Sequence, residues 1–109
     1  MPHIRMRSVK SSDVAKLSST MVKDLAAIIN TSEDNFTFEV VSSQFFSEGQ
    51  ETASYPFVEV LWFARTQEVQ NSCASYICDK VRELTKQPDV VVIFVELNKT
   101  AYYENGKHF

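Results

Sequence analysis

Two apolar stripes at helical spacing, each held between extended runs, constrain this chain more than anything else in it. The first is Val14, Leu17, Met21, Leu25 and Ile28; the second is Val69, Cys73, Ile77, Val81 and Leu84. Steps of three and four residues gather each set on one side of a helix. Strand signatures flank both. Residues 2–9 alternate, with Ile4 and Met6 out of phase with His3, Arg5 and Arg7. Phe36 to Phe46, Tyr55 to Phe63 and Val90 to Val95 are also extended in character. The order is therefore β-α-β-β-α-β, two β-α-β units in series. Right-handed crossovers would place two helices on one face of a four-stranded mixed sheet, an α+β fold.

Local signals punctuate this pattern. Ser11-Ser12-Asp13 offers side-chain oxygens and a carboxylate for the start of the first helix, and Thr66 offers a cap for the second. Pro88 ends the second helix, because the residue before a proline leaves the helical region. Ser47 to Glu51 is a polar loop containing a glycine, and Pro56 stands near a strand start, where a missing donor is tolerated.

Length and composition narrow the function classes. The 109 residues make one domain, 1–109. A net charge of -3 argues against a nucleic-acid module. The longest apolar run, Val90 to Val95, is far short of the roughly 20 residues of a membrane span. With no signal-peptide pattern at the start, the expected location is cytoplasmic. Cys73 and Cys78 lie five apart, neither a redox nor a zinc spacing, so both are expected as free thiols with Cys73 in the core. Only two glycines, Gly49 and Gly106, are present, which excludes a phosphate-cradling loop. His3 and His108 are the only histidines and show no ligand spacing, so neither a metal nor a cofactor is expected.

One face of the sheet has no cover in this scheme. It would carry Arg5, Arg7, Glu39 and Glu59 among Phe57, Leu61 and Phe63. That mixture suits an oligomer with opposite charges paired across strands. An ordinary two-layer monomer with a polar outer face is the alternative.

Pro2 on the first strand, the two β-α-β halves and the tail Asn105-Gly106-Lys107-His108-Phe109 together resemble the tautomerase superfamily. That superfamily includes macrophage migration inhibitory factor, 4-oxalocrotonate tautomerase and 5-carboxymethyl-2-hydroxymuconate isomerase. The resemblance spans the whole chain. Its most specific stretches, Tyr55 to Arg65 and Tyr102 to Phe109, look like a small bacterial branch of unknown function. It implies a homotrimer with sites at subunit interfaces and Pro2, after loss of Met1, as the catalytic amine. The chain departs from the pattern elsewhere. Ser32 or Glu33 stands where the migration inhibitory factor has a lysine, and Val91 and Ile93 stand where it has a tyrosine and an asparagine.

The chemistry follows from residue types. A prolyl amine is protonated at neutral pH unless burial and nearby positive charge lower its pKa. Neutral, it could take a proton alpha to a carbonyl, a keto–enol tautomerisation. A Met-Pro start without any chemistry is the competing reading. Arg65, at a strand-to-helix junction, could hold a substrate carboxylate in bidentate fashion; otherwise it is a surface arginine. Tyr102 and Tyr103 could donate to an enolate oxygen, or simply pack at an interface. Trp62 would line the pocket or the core. Two rivals stand beside the tautomerase: a non-catalytic oligomeric interaction protein with the same fold, and a ferredoxin-like binding module. Expected partners are a small carboxylate and further copies of the chain, with neither nucleic acid nor membrane.

Overall fold

The computed structural model describes residues 2–109, so Met1, whose removal a catalytic Pro2 requires, lies outside the described residues. Four strands form the main sheet: β1 (His3–Arg7), β2 (Thr37–Val41), β5 (Phe57–Trp62) and β6 (Val91–Glu96). Their order is β2-β1-β5-β6. Within each half the strands are parallel, and the halves join through the antiparallel β1–β5 pair. Parallel neighbours need a long crossover, which the helices supply. The fully antiparallel ferredoxin-like sheet is thereby excluded.

The halves repeat one another closely. His3 pairs with Thr37 and Phe57 with Val91, both separated by 34 positions (37 minus 3, 91 minus 57).

The first crossover holds two helices where the apolar stripe suggests one. They are α1 (Ser11–Thr20) and α2 (Val22–Ile29), meeting at Met21. The Ser18 hydroxyl donates to Ala15 O at 2.7 Å and the Thr20 hydroxyl to Lys16 O at 3.1 Å. Such back-bonding competes with the helical ladder and bends it. Met21 still keeps the stripe on one side, since it is completely buried. The buried end of the stripe is Ile29, with Ile28 half-buried. Capping at the start also differs from the sequence expectation: Lys10 is the N-cap, without a side-chain bond, and Ser11 begins the helix. In α3 (Gln67–Thr85) the Thr66 hydroxyl does cap, accepting from Val69 N at 3.3 Å.

All three helices cover one face. Ile4, Met6, Val58, Val60 and Trp62 from the strands meet Leu17, Met21, Leu25, Cys73, Ile77 and Val81 from the helices. Each large side chain buried there contributes roughly 1.5–3 kcal/mol. Among the described residues no helix covers the opposite face; only the tail residues Leu97 and Tyr102 reach its end.

Two hairpins complete the chain. β3 (Phe45–Ser47) and β4 (Gln50–Thr52) turn at Glu48-Gly49, and β7 (Tyr103–Glu104) and β8 (Lys107–His108) turn at Asn105-Gly106. Both turns have positive φ at both central residues, 53° and 79° in one and 53° and 83° in the other. That is the geometry of tight two-residue hairpins, and it consumes both glycines. The extended run from Phe36 to Phe46 is consequently two separate strands, and Ser47 to Glu51 is the heart of a hairpin. Among the described residues no helix is long and apolar enough to cross a membrane.

Candidate functional site

Pro2 is almost completely buried at the head of β1. Its carbonyl accepts the Thr37 N–H at 3.1 Å, tying the head of β1 to the head of β2. The next residue turns the other way. By strand alternation His3 faces the uncovered side of the sheet, along with Arg5 and Arg7.

A chain of polar contacts begins at His3. Its Nδ1 hydrogen-bonds the Thr37 hydroxyl, and its Nε2 lies 2.7 Å from Glu39 Oε1. Arg5 Nε lies 3.1 Å from that same oxygen, close enough to pair by charge but with its N–H not aimed for a hydrogen bond. Glu39 is held below the usual carboxylate range, first by the His3 hydrogen bond and then by the charge of Arg5, against a partial burial that pushes the other way. The expected pairing of Arg5 and Arg7 with Glu39 and Glu59 is present, Arg7 binding Glu59.

Beside this chain lies a cleft of about 330 Å³, lined by His3, Thr37, Leu61, Leu97 and Tyr102. Three strands and the tail meet to build it. β1 and β2 supply the polar wall, β5 supplies Leu61, and the tail supplies the rest. Leu97 N donates to Trp62 O at 2.7 Å, which fixes where the tail leaves the sheet. Tyr102, Phe63 and Phe109 then form an aromatic triple with ring centroids 5.0–5.3 Å apart. Phe109 N donates to Lys99 O and to Tyr102 O, closing the tail on itself.

The sequence-derived candidates are distributed unevenly around the cleft. Tyr102 lines it, and Pro2 adjoins two of its lining residues. Trp62 is core, 1% exposed, with its ring 4.7 Å from that of Phe94 and its buried Nε1 without a hydrogen-bond partner among the described residues. Arg65 folds inward from the strand exit. Its Nη1 donates to Phe63 O at 2.6 Å, and its guanidinium sits 5.9 Å from the centre of the Trp62 ring. It does not line the cleft. Tyr103 is 62% exposed on β7, its ring edge against His108. Cys73 is buried and Cys78 half-buried, both as free thiols. Burial pushes the Cys73 thiol up to about 11, with Arg65 partly offsetting it. No thiolate chemistry follows at neutral pH.

Residue types alone did not single out His3, Thr37 and Glu39. Alternation put His3 on the outer face, but only the parallel register of β1 and β2 brings Thr37 and Glu39 to its ring.

The sequence matches the family described as Domain of unknown function (DUF1904) over residues 1–108. The chain belongs to this family. A crystal structure of a DUF1904 domain from Sebaldella termitidis ATCC 33386 is 35% identical, covers 100% of both chains and superposes with a TM-score of 0.94. A protein of unknown function from Vibrio cholerae O1 biovar eltor is 40% identical over 99% of this chain and 87% of that one, with a TM-score of 0.88. More distant structures share the fold alone. A macrophage migration inhibitory factor-like protein from Entamoeba histolytica is 13% identical, covers 99% of this chain and 98% of its own, and has a TM-score of 0.77. Fused 4-OT, described as an asymmetric trimer, is 11% identical over 97% and 94% of the two chains, with a TM-score of 0.83. No match was found among curated proteins. This DUF1904 chain therefore has the tautomerase fold, as its β-α-β-β-α-β order and Pro2 suggested.

Proposed function

We propose that this DUF1904 protein is a keto–enol tautomerase of small 2-oxo acids, with the amine of Pro2, freed by removal of Met1, as general base. The observation that carries the reading is the cleft at the head of β1: His3, next to Pro2 in the chain, and Thr37, bonded to the Pro2 carbonyl, both line it. Its other walls, Leu61, Leu97 and Tyr102, suit an apolar substrate side chain, and the Tyr102 hydroxyl can donate to the enolate oxygen. A buried setting disfavours the protonated amine, which is what a base at neutral pH needs. In this reading Trp62, on the helix side of the sheet, supports Leu61 from behind. Arg65, which as placed does not line the cleft, reaches the substrate carboxylate by swinging out from Phe63 O. Tyr103, exposed on the tail hairpin, reaches the cleft of a neighbouring copy.

That last role requires an assembly, and we assign a homotrimer. The uncovered face supports one. Ile93 and Val95 are 37% and 38% exposed on edge strand β6, beside the half-buried Leu61 and Phe57, and a sheet edge of this kind is usually protected by pairing.

The test is enol-to-keto conversion of phenylpyruvate by wild type and Pro2→Ala, after intact mass has established that the terminus is prolyl. Loss of at least tenfold in kcat/KM in Pro2→Ala supports the reading. Equal rates, or a retained Met1, overturn it and favour an interaction protein of the same fold. The specific observation on that rival's side is the apolar exposure just described, joined by Phe46 at 65% on the β3–β4 hairpin.

A further inference from the structure

Tautomerisation needs two partners, a base for the carbon and a donor for the oxygen. The first is assigned above to Pro2; the inference here rests on that assignment and concerns the second. Tyr102 can hydrogen-bond the enolate oxygen, but the proton that moves onto that oxygen has to come from a group that can be resupplied. Three polar side chains line the cleft, His3, Thr37 and Tyr102, and two of them are already hydrogen-bonded to each other.

The proton positions on that pair follow from its partners. A carboxylate only accepts, so His3 Nε2 donates to Glu39. The other ring nitrogen has two states. When His3 is neutral, Nδ1 accepts, Thr37 must donate to it, and the hydroxyl presents only lone pairs to the cleft. When His3 is protonated, Nδ1 donates to Thr37 Oγ1 and the hydroxyl proton is free to point into the cleft. One proton on the imidazole thus reverses the polarity that Thr37 shows to a bound molecule. Glu39, itself paired by charge with Arg5, is the group placed to hold the imidazolium. Glu59, opposite Arg5 on β5, is engaged by Arg7 and does not compete.

We propose that Thr37 and His3 form a proton relay that serves the carbonyl oxygen of a 2-oxo acid bound in the cleft. As the Pro2 nitrogen takes the alpha proton, the C–H electron pair becomes the C=C bond and the carbonyl pair moves onto oxygen. The Thr37 hydroxyl gives its proton to that oxygen, and His3 Nδ1–H restores the hydroxyl. The enzyme passes from neutral Pro2 with cationic His3 to cationic Pro2 with neutral His3. Charge is conserved, no proton is left over, and proton exchange with water resets both groups. Thr37 touches the substrate; His3 feeds Thr37; Glu39 and Arg5 position His3.

The test combines kinetics with a measurement that needs no turnover. Thr37→Val keeps the side-chain shape and removes the hydroxyl, and Thr37→Ser restores it. The expected result with phenylpyruvate is a fall of at least tenfold in kcat for Thr37→Val with KM within about twofold, and recovery to within about threefold in Thr37→Ser. In parallel, the ring nitrogens of His3 are followed by ¹⁵N NMR as phenylpyruvate is added to wild type. Saturation should bring the two resonances together, as both nitrogens become protonated. Unchanged kcat in Thr37→Val while Pro2→Ala is inactive overturns the relay and leaves the tautomerase standing. Equal rates in wild type and Pro2→Ala overturn the tautomerase instead. Two well-separated His3 resonances at saturating phenylpyruvate, one of them that of an unprotonated ring nitrogen, overturn the relay whatever the rates.

Discussion

Arg7 binds Glu59 across the β1–β5 ladder on a diagonal, for its direct partner in that ladder is Phe57 and that of Glu59 is Arg5. Arg5 turns instead toward Glu39 on the other side. Each arginine thus has its own carboxylate, and the outer face is stitched from β2 to β5. The Arg7 and Glu59 side chains are only 29% and 16% exposed, so the pair is partly shielded from water. Glu59→Ala would strand the Arg7 guanidinium, and we expect it to cost roughly 1–3 kcal/mol in urea denaturation. Glu59→Gln, which keeps an acceptor, should cost less.

Trp62 presents a contest between area and polarity. Truncation to alanine opens a large cavity and should destabilise by about 3–5 kcal/mol. Trp62→Phe removes the buried Nε1 donor, unpartnered among the described residues, along with some ring area, and the two changes oppose each other. The expected loss for Trp62→Phe is below about 2 kcal/mol by thermal unfolding.

Tyr76 gives a spectroscopic signature at high pH. Burial first, and then its hydroxyl donating to Asp24 Oδ2 at 2.6 Å, push its phenol up to about 12. The unfolded phenol ionises near 10. A group whose ionisation is delayed by folding stabilises the native state below its unfolded pKa, and that contribution fades as pH rises from about 10 toward 12. A phenolate absorbance titration should show one tyrosine ionising near pH 12 in wild type and not in Tyr76→Phe, with the variant losing less stability over that window.

Gly106 is strained by any side chain for conformational reasons alone. Its φ is 83°, yet a Cβ added there would meet nothing within 4 Å. Gly106→Ala should therefore cost roughly 1–2 kcal/mol locally. Because β7–β8 closes the tail that presents Tyr102, the variant should also raise KM for phenylpyruvate, with faster proteolysis after Leu97 as the independent readout.

The assembly gives the plainest prediction. Sedimentation at micromolar concentration should return a trimer. Ile93→Lys, placing a charge on exposed edge strand β6, should shift it toward the monomer.

Much of the fold was legible because its signals are local. Stripes such as Val69, Cys73 and Ile77 fix a helix and its inner side at once, and Thr66 announces where that helix begins. The break at Met21 was hidden, because its cause is two hydroxyls choosing carbonyls within an unbroken stripe. The tail hairpin was recoverable in principle. Asn105-Gly106 is a strong turn pair, whereas Glu48-Gly49 in a polar stretch signals only a loop. The site was far less legible. The sequence places His3 on the outer phase of a strand without ligand spacing and no more, since what makes it interesting is a parallel register that sets Thr37 and Glu39, 34 and 36 positions away, against its ring. Arg65 looked free to bind a carboxylate; nothing in its neighbours revealed that Phe63 O would claim one of its nitrogens.

The repeat between the halves carries a chemical consequence. Pro56 heads β5 as Pro2 heads β1: it is equally buried, and its carbonyl accepts Val91 N at 3.0 Å where that of Pro2 accepts Thr37 N at 3.1 Å. By geometry the chain owns two proline corners. By bonding only the Pro2 corner can become a free amine, and only with Met1 removed. The Pro56 nitrogen is an amide in mid-chain, its lone pair delocalised into the carbonyl of Tyr55, and no trimming of the terminus can free it. A fold that is nearly symmetric in shape is thus open to a free prolyl amine at one corner alone, through cleavage of a single peptide bond.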